Sequence, residues 1–440
     1  LLEWGVETRE GYRPENLRPA PDLVVVGNVC RSDNPEARAA VDAGLPYRSM
    51  AGVLRDEFLQ QRPSLVIAGT HGKTTTTALT AYLLDATGQR PGYLLGGVPG
   101  NFSESFALGD RQAPFVIEGD EYDTAYFEKT PKFWHYAADA AVLTAVEHDH
   151  IDIYPDPASY RAAFEHFVAR LPPDGLLVAY AGDPEVRAIA RRASCPVCYY
   201  ALAGDPVGEV EPDWLGKLGA LGGERQGLDV QVDGANRGRL ESPLSGAHNA
   251  RNLLASLAIC HLQVGVPLPR LLSSVPGFRG VRRRQELRGQ RSGLRVYDDF
   301  AHHPTAVGET LAGLRARHPA GQLIAVYEPR SATASRRLHQ SRYPAAFDVA
   351  DLVLLAPVGR PEIVAEERLD VVQLAADINR AGAQADRARS FDEHGALRDF
   401  LRTRARPGDT VVIMSNGHFD GMVEQVVQSL GLDPAPAVSP

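Results

Sequence analysis

At 440 residues the chain is long enough for two or three cores, because a single core rarely grows beyond about 250 to 300 residues. A hydrophobic share of 44%, a charged share of 23% and a net charge of −9 suit a globular enzyme and argue against a general binder of nucleic acid or anionic membrane. No apolar run approaches the roughly 18 residues that span a bilayer, none resembles a signal peptide, and the four cysteines are too few for a disulfide framework; a reducing, cytoplasmic setting is expected.

Residues 1–62 read as part of an α/β unit. An apolar strand, Leu23–Val26, ends at Gly27-Asn28, a helix covers about Pro35–Ala43, and a second helix runs near Met50–Gln60. The chain opens at Leu1 inside this pattern and carries no Gly-x-Gly-x-x-Gly, so a truncated Rossmann-like unit is expected here. From Pro63 strand and helix alternate, which predicts a parallel, doubly wound α/β unit over 63–279.

Leu65–Ala68 is an apolar strand followed by Gly69-Thr70-His71-Gly72-Lys73-Thr74-Thr75 and a helix-compatible stretch. Backbone N–H groups of such a loop face phosphate oxygens, and the helix dipole favours the same anion. Lys73 would reach β/γ-phosphates, and the Thr74 hydroxyl would sit on Mg²⁺. The general phosphate-loop pattern places another glycine where this chain has Ile67, so the loop is a shortened variant. Its lysine is informative: apart from Lys129, Lys132 and Lys217 every other basic side chain is arginine, and a compact ammonium fits a phosphate cradle where a planar guanidinium does not.

Gly88 stops the loop helix, and Phe115–Ile117 is the next strand, ending at Glu118, a candidate Mg²⁺ ligand beside the loop. Asp120, Glu121 and Asp123 are expected to cap a following helix or to face solvent. Strand Ala140–Thr144 leads into Glu147-His-Asp-His150, where His148 and His150 share a face if the strand continues; a functional histidine is expected at this edge. A helix follows over Pro157–Leu171, then a small antiparallel sheet within Gly204–Ser245 and a helix from about His248 to Val264. Cys195 and Cys198 have Cys-x-x-Cys spacing, but no second pair completes a zinc site, and they read as incidental thiols. Asn249 and Asn252, three apart at a helix start, could read an adenine or ribose edge or simply cap the helix. Residues 280–440 begin with the basic run Arg282-Arg283-Arg284. A further doubly wound unit follows, with strands at 294–297, 323–327, 352–355 and 410–414 and the loop Asp298-Asp-Phe-Ala-His-His-Pro304.

Together, Gly69–Thr75, Glu118-Gly-Asp-Glu121, Asp149-His150, Gly246-x-His-Asn249 with Asn252, Arg283-Arg284 and Asp298–Pro304 resemble the Mur ligases, the ATP-dependent amide-forming enzymes of bacterial cell-wall synthesis. The resemblance implies a three-domain α/β architecture: a truncated N-terminal Rossmann-like domain that binds the UDP-substrate, a central P-loop ATPase domain and a C-terminal Rossmann-like domain that binds peptide. It implies a mechanism in which ATP phosphorylates a carboxylate of UDP-N-acetylmuramate and an amine displaces the phosphate. Glu328-Pro-Arg-Ser331, Gly96–Phe102, Asp120–Phe127 and Met414-Ser-Asn-Gly417 are similar to the branch that recycles the murein tripeptide L-Ala-γ-D-Glu-meso-diaminopimelate, rather than the branch that adds L-alanine. A rival of another class is a non-catalytic ATP-dependent binding protein.

By this likeness Lys73, Glu118 and His150 are catalytic; Thr74, Glu118 and His150 hold Mg²⁺. Gly69–Thr75, Asn249, Asn252, Arg284 and Asp299 bind ATP, while Asn28, Asn101, His302 and Arg330 touch the substrates. Neither nucleic acid nor membrane is an expected partner. The glycine loop that holds uridine diphosphate in the family is not found in this sequence. Ala145 stands where many relatives have Asn, and Phe164 stands where some carry a carbamylated lysine.

Overall fold

In the computed structural model, residues 4–222, 225–382 and 386–435 are described. The N-terminal segment holds one parallel strand pair, β1 (Val24–Val26) with β2 (Tyr47–Ser49), joined through the helix Pro35–Asp42. That helix starts where the Asn34 side chain accepts from the N–H groups of Glu36 and Ala37 and a proline occupies its first turn. Helix Met50–Leu54 runs on into a π-helical turn, Arg55–Leu59.

The central sheet is built from β3 (Ser64–Ala68), β4 (Gly92–Leu94), β5 (Phe106–Ala107) and β6 (Phe115–Glu118), then, past a separate hairpin of β7 (Asp123–Ala125) and β8 (Glu128–Pro131), from β9 (Ala140–Leu143), β10 (Leu176–Tyr180), β11 (Val197–Leu202), β12 (Trp214–Gly222), β13 (Arg225–Val232) and β14 (Ala235–Ser242). Its ten strands lie in the order β14-β13-β12-β11-β10-β9-β3-β6-β4-β5. From β4 through β12 neighbours pair in parallel, and β12–β14 form the antiparallel extension expected from the glycine-rich segment.

Strand β3 explains why the parallel region reads as continuous apolar runs. Leu65 and Ile67 enter the core under helices Lys73–Ala86 and Ala247–Leu262, while Val66 and Ala68 enter the opposite core under helix Pro157–Ala169. Cys198 and Cys195 are divided between the same two cores, so their sequence spacing does not make them a pair. Phe164 is fully buried and stacks on Phe133 at 5.3 Å.

The C-terminal sheet comprises β15 (Glu286–Arg291), β16 (Leu294–Asp299), β17 (Leu323–Tyr327), β18 (Leu352–Leu355), β19 (Ala388–Ser390), β20 (Thr410–Met414) and β21 (Asp433–Pro434), in the order β19-β18-β17-β20-β16-β15-β21. β16 through β20 pair in parallel; β15 and β21 extend one edge antiparallel.

Two local expectations are corrected. The acidic run leads into the β7–β8 hairpin over residues 123–131 rather than into a helix, and the 3₁₀ turn Lys132–His135 beyond it has no side-chain cap, so Asp120, Glu121 and Asp123 cap nothing. Tyr122 N–H donates to Asp120, which also pairs with Lys132, and Asp123 pairs with Lys129. Strand β9 ends at Leu143, so His148 and His150 do not share a strand face: His148 hydrogen-bonds the Tyr154 carbonyl, whereas His150, at φ +53°, turns toward Glu121. No helix among the described residues is long and apolar enough to cross a membrane.

Candidate functional site

The loop between β3 and its helix sits at the C-terminal edge of the central sheet, where parallel α/β sheets place their ligands. Gly69 (φ +132°) and Gly72 (φ +80°) shape it. A β-carbon on Gly69 would overlap the Thr144 hydroxyl and the Ala145 backbone, whereas one on Gly72 would meet the end of the Asn252 side chain at a φ that strains any residue but glycine. Thr144 Oγ1 donates to the His71 carbonyl at 2.5 Å and Thr70 N–H donates to the Ala145 carbonyl at 2.7 Å, pinning the loop to the end of β9.

Lys73 opens the helix and folds back over the loop, donating to the Gly69 carbonyl at 2.6 Å and to Glu121 Oε1 at 3.0 Å. Glu121 is only 1% exposed, and its Oε1 also meets His150 Nε2 at 2.9 Å. Burial alone would raise this carboxyl, but the Lys73 ammonium and the His150 hydrogen bond outweigh it and hold Glu121 down to about 2. Conversely, burial would strip protons from Lys73 and His150, and Glu121 outweighs that and raises both. The second carboxylate oxygen, Oε2, is buried without a hydrogen-bond partner.

At the next residue, Thr74 Oγ1 donates to Glu118 Oε1 at 3.0 Å and accepts from Arg284 at 3.1 Å. Gly96 N–H donates to Glu118 Oε2 at 2.8 Å. Arg284 arrives from the start of the C-terminal unit, with its guanidinium 4.6 Å from the centre of the Phe300 ring. Two hard oxygens, from Thr74 and Glu118, thus lie side by side, and the unpartnered Oε2 of Glu121 lies in the same cluster as His150. This donor set suits a magnesium-sized cation better than a soft metal.

Two cavities meet at this loop. One, of about 560 Å³, lies between the central and C-terminal units and is lined by Thr75, Tyr180, Asn249, Asn252, Asp299 and Thr310, among others. The other, of about 430 Å³, is lined by Lys73, Glu118, Glu121, Asp149, His150 and His302. His71, Gly72, Thr74 and Arg284 line both, so the loop and Arg284 form the partition between them. In the second cavity Asp149 Oδ2 faces His302 Nε2 at 3.7 Å, and although burial would raise the Asp149 carboxyl, His302 and His150 hold it well below the usual range. In the first, Asn249 donates to the Ser245 carbonyl at 2.9 Å, and burial raises the Asp299 carboxyl despite Arg284 and the N–H groups of Ala301 and Gln285.

Residues 70–75, Glu118, His150, Asn249, Asn252, Arg284, Asp299 and His302 therefore converge, while four sequence candidates, Gly69, Asn28, Asn101 and Arg330, line neither cavity. Asn28 is exposed in the loop after β1. Asn101 spends its amide on the Gly277 carbonyl and the Arg279 N–H, tying the 96–102 loop to the domain junction. Arg330 leans on the buried Glu328 at 3.5 Å. Glu121, expected as a cap or a solvent-facing acid, is instead the buried anchor of the cluster; its signal was a carboxylate three residues beyond Glu118 at a strand end.

Two family models match: the Mur ligase middle domain over residues 67–260 and the Mur ligase glutamate ligase domain over residues 283–417. A UDP-N-acetylmuramate–L-alanyl-γ-D-glutamyl-meso-2,6-diaminoheptandioate ligase of Escherichia coli (strain K12) is 36% identical over 98% of this chain and 89% of its own length. A UDP-N-acetylmuramate–L-alanine ligase of Roseiflexus sp. (strain RS-1) is 33% identical over 98% of this chain and 91% of its own. The crystal structure of a murein peptide ligase from Psychrobacter arcticus 273-4 superposes with a TM-score of 0.68 at 31% identity, covering 99% of this chain and 91% of that one.

Proposed function

The chain belongs to the Mur ligase family, and we propose that it joins L-Ala-γ-D-Glu-meso-diaminopimelate to UDP-N-acetylmuramate, with ATP as phosphoryl donor and an acyl phosphate between the two half-reactions. The observation that carries it is the partition: Gly72, Thr74 and Arg284 are shared walls of a nucleotide-sized cavity and a second, polar one. ATP in the first cavity presents its γ-phosphoryl group through the partition to a carboxylate in the second. Charge spreads over the equatorial oxygens as that group transfers, and Lys73 and Arg284 supply the fixed cations there. Glu121 keeps Lys73 and His150 oriented without reorganisation. The attacking amine would approach beside the buried Asp149 and the partly exposed His302, and closing that side to water would protect an acyl phosphate from hydrolysis. Thr74 and Glu118 would hold one Mg²⁺ and His150 would help to hold a second; the ion, when bound, would neutralise charge on phosphoryl oxygens.

One further observation supports tripeptide as the amine: the tripeptide-named Escherichia coli relative is 36% identical against 33% for the alanine-named Roseiflexus one over the same share of the chain. L-Alanine is the second reading, favoured by the near-equal identity of the Roseiflexus relative. ADP release and product mass with ATP, Mg²⁺, UDP-N-acetylmuramate and either amine separate the two. Tripeptide should turn over at least about tenfold faster, a difference of about 1.4 kcal/mol in barrier. Preference for alanine overturns the choice of amine, and background ADP with both overturns the ligase activity.

A further inference from the structure

Glu147, in the loop that follows β9, has no part in the chemistry above, yet its side chain joins three separate segments. Arg342 donates to Oε2 at 2.8 Å and the Thr305 hydroxyl donates to the same oxygen at 2.9 Å. His303 Nδ1 lies 3.8 Å from Oε2, and His71 Nε2 lies 3.6 Å from Oε1. Arg342, Thr305 and His303 belong to the C-terminal unit, whereas His71 is the third residue of the phosphate loop. The backbone of Glu147 is tied to that loop as well: its N–H donates to Thr70 Oγ1 at 2.9 Å, and the Thr70 hydroxyl donates to its carbonyl at 3.0 Å.

Ligand atoms of His71, Glu147 and His303 all lie within 4.8 Å of one another, a spacing a transition metal would accept. The other contacts speak against a metal. Oε2 already accepts from Arg342 and Thr305, His303 Nδ1 accepts from Thr305 N–H at 3.3 Å, and a guanidinium 2.8 Å from the ligand oxygen repels a second cation. Burial would raise the Glu147 carboxyl, but His71, Arg342 and His303 outweigh it and keep it ionised.

We infer that Glu147 is a positioning residue that makes the geometry of the phosphate loop conditional on docking of the C-terminal unit. Docked, the carboxylate is shared between the loop histidine and Arg342, and loop and junction are held as one body. Undocked, it loses Arg342, Thr305 and His303 together, and its side chain keeps only the 3.6 Å approach of His71 Nε2, which has no hydrogen-bond partner. Phosphoryl transfer is thereby confined to the closed cleft, where the acyl phosphate is shielded from water. This inference rests on the reading of residues 69–75 as the ATP loop.

The test uses the full chain with Glu147→Gln, Arg342→Gln and the double variant. Each single change should lower kcat about 30-fold and leave the KM for ATP within about threefold, because positioning rather than ground-state binding is lost. The double variant should resemble either single one, since both cut the same link; independent effects would multiply to about 900-fold. Multiplying effects, or a raised KM with kcat intact, overturns the proposal. Small-angle scattering of the nucleotide-free proteins supplies a readout without turnover: the radius of gyration should rise in both single variants, and an unchanged radius overturns the latch. A wild-type chain that released no ADP would refute the ligase activity alone, because the scattering comparison stands without it.

Discussion

Replacing Glu121 by Gln keeps the side-chain shape and removes the charge on which Lys73 and His150 both rest. The carboxylate accepts from Lys73 at 3.0 Å and from His150 at 2.9 Å while 1% exposed. A hydrogen bond to a charged acceptor is worth about 1 kcal/mol more than one to a neutral acceptor, so the two contacts lose about 2 kcal/mol. The amide NH₂ would then occupy the place of the partnerless Oε2 or displace one of the two donors, adding about 1 kcal/mol for an unsatisfied buried group. The sum, about 3 kcal/mol, lies at the lower end of the loss seen when one member of a buried ion pair is removed. Urea unfolding followed by the fluorescence of Trp134 and Trp214, both in the central unit, should register it. In a coupled ADP assay kcat should fall about 100-fold, equivalent to about 2.7 kcal/mol, with the KM for ATP nearly unchanged. A stability change below about 0.5 kcal/mol would refute the anchoring argument. Destabilisation with normal kcat would show that Glu121 holds the fold and not the phosphoryl-transfer geometry.

The other outcomes concern the loop and the domain junction. Gly72→Ala would force a β-carbon into the Asn252 amide oxygen at φ +80°; strain of about 1–3 kcal/mol should distort the loop and cut ADP release about 100-fold, and normal turnover would contradict the close approach. Asp298 is pushed up to about 6 by burial, against the pull of Arg283 and Arg288. Its folded pKa is raised, so its stabilising contribution is complete below the ordinary aspartate value of about 3.9 and is lost as pH rises through about 6. Asp298→Asn should therefore flatten stability across pH 4–6 by about 2 kcal/mol; urea titrations at pH 4, 5 and 6.5 with unchanged slopes would refute the assignment.

The shape of the loop over residues 69–74 was legible because everything that forms it is contiguous. A buried strand, two glycines that must approach other chain segments, a lysine and a threonine occur within ten residues, Leu65 to Thr74. Glu118 was legible for the same reason, as the carboxylate that ends the adjacent parallel strand. Glu121 was not: the spacing of an acidic run does not reveal that residues 123–131 turn back as a hairpin and drive one carboxylate under Lys73. The turn of His150 toward Glu121 was not legible for a related reason. An alternating pattern presumes that a strand continues, whereas β9 stops at Leu143 and the backbone at His150 has positive φ.

What the sequence determined by itself is local and periodic: the alternation of strand and helix, the apolar strand β3 with the glycine loop after it, and motifs whose sum points to one family. Contacts between residues far apart in the chain were decided only by the tertiary structure. Arg284 reaches Thr74 across 210 positions, and Arg342 reaches Glu147 across 195. Neither end carries a mark of the other, because an arginine is equally at home in solvent or against a carboxylate. Its partner is set by how two sheets pack, through burial summed over entire cores, and that sum has no signature at any single position.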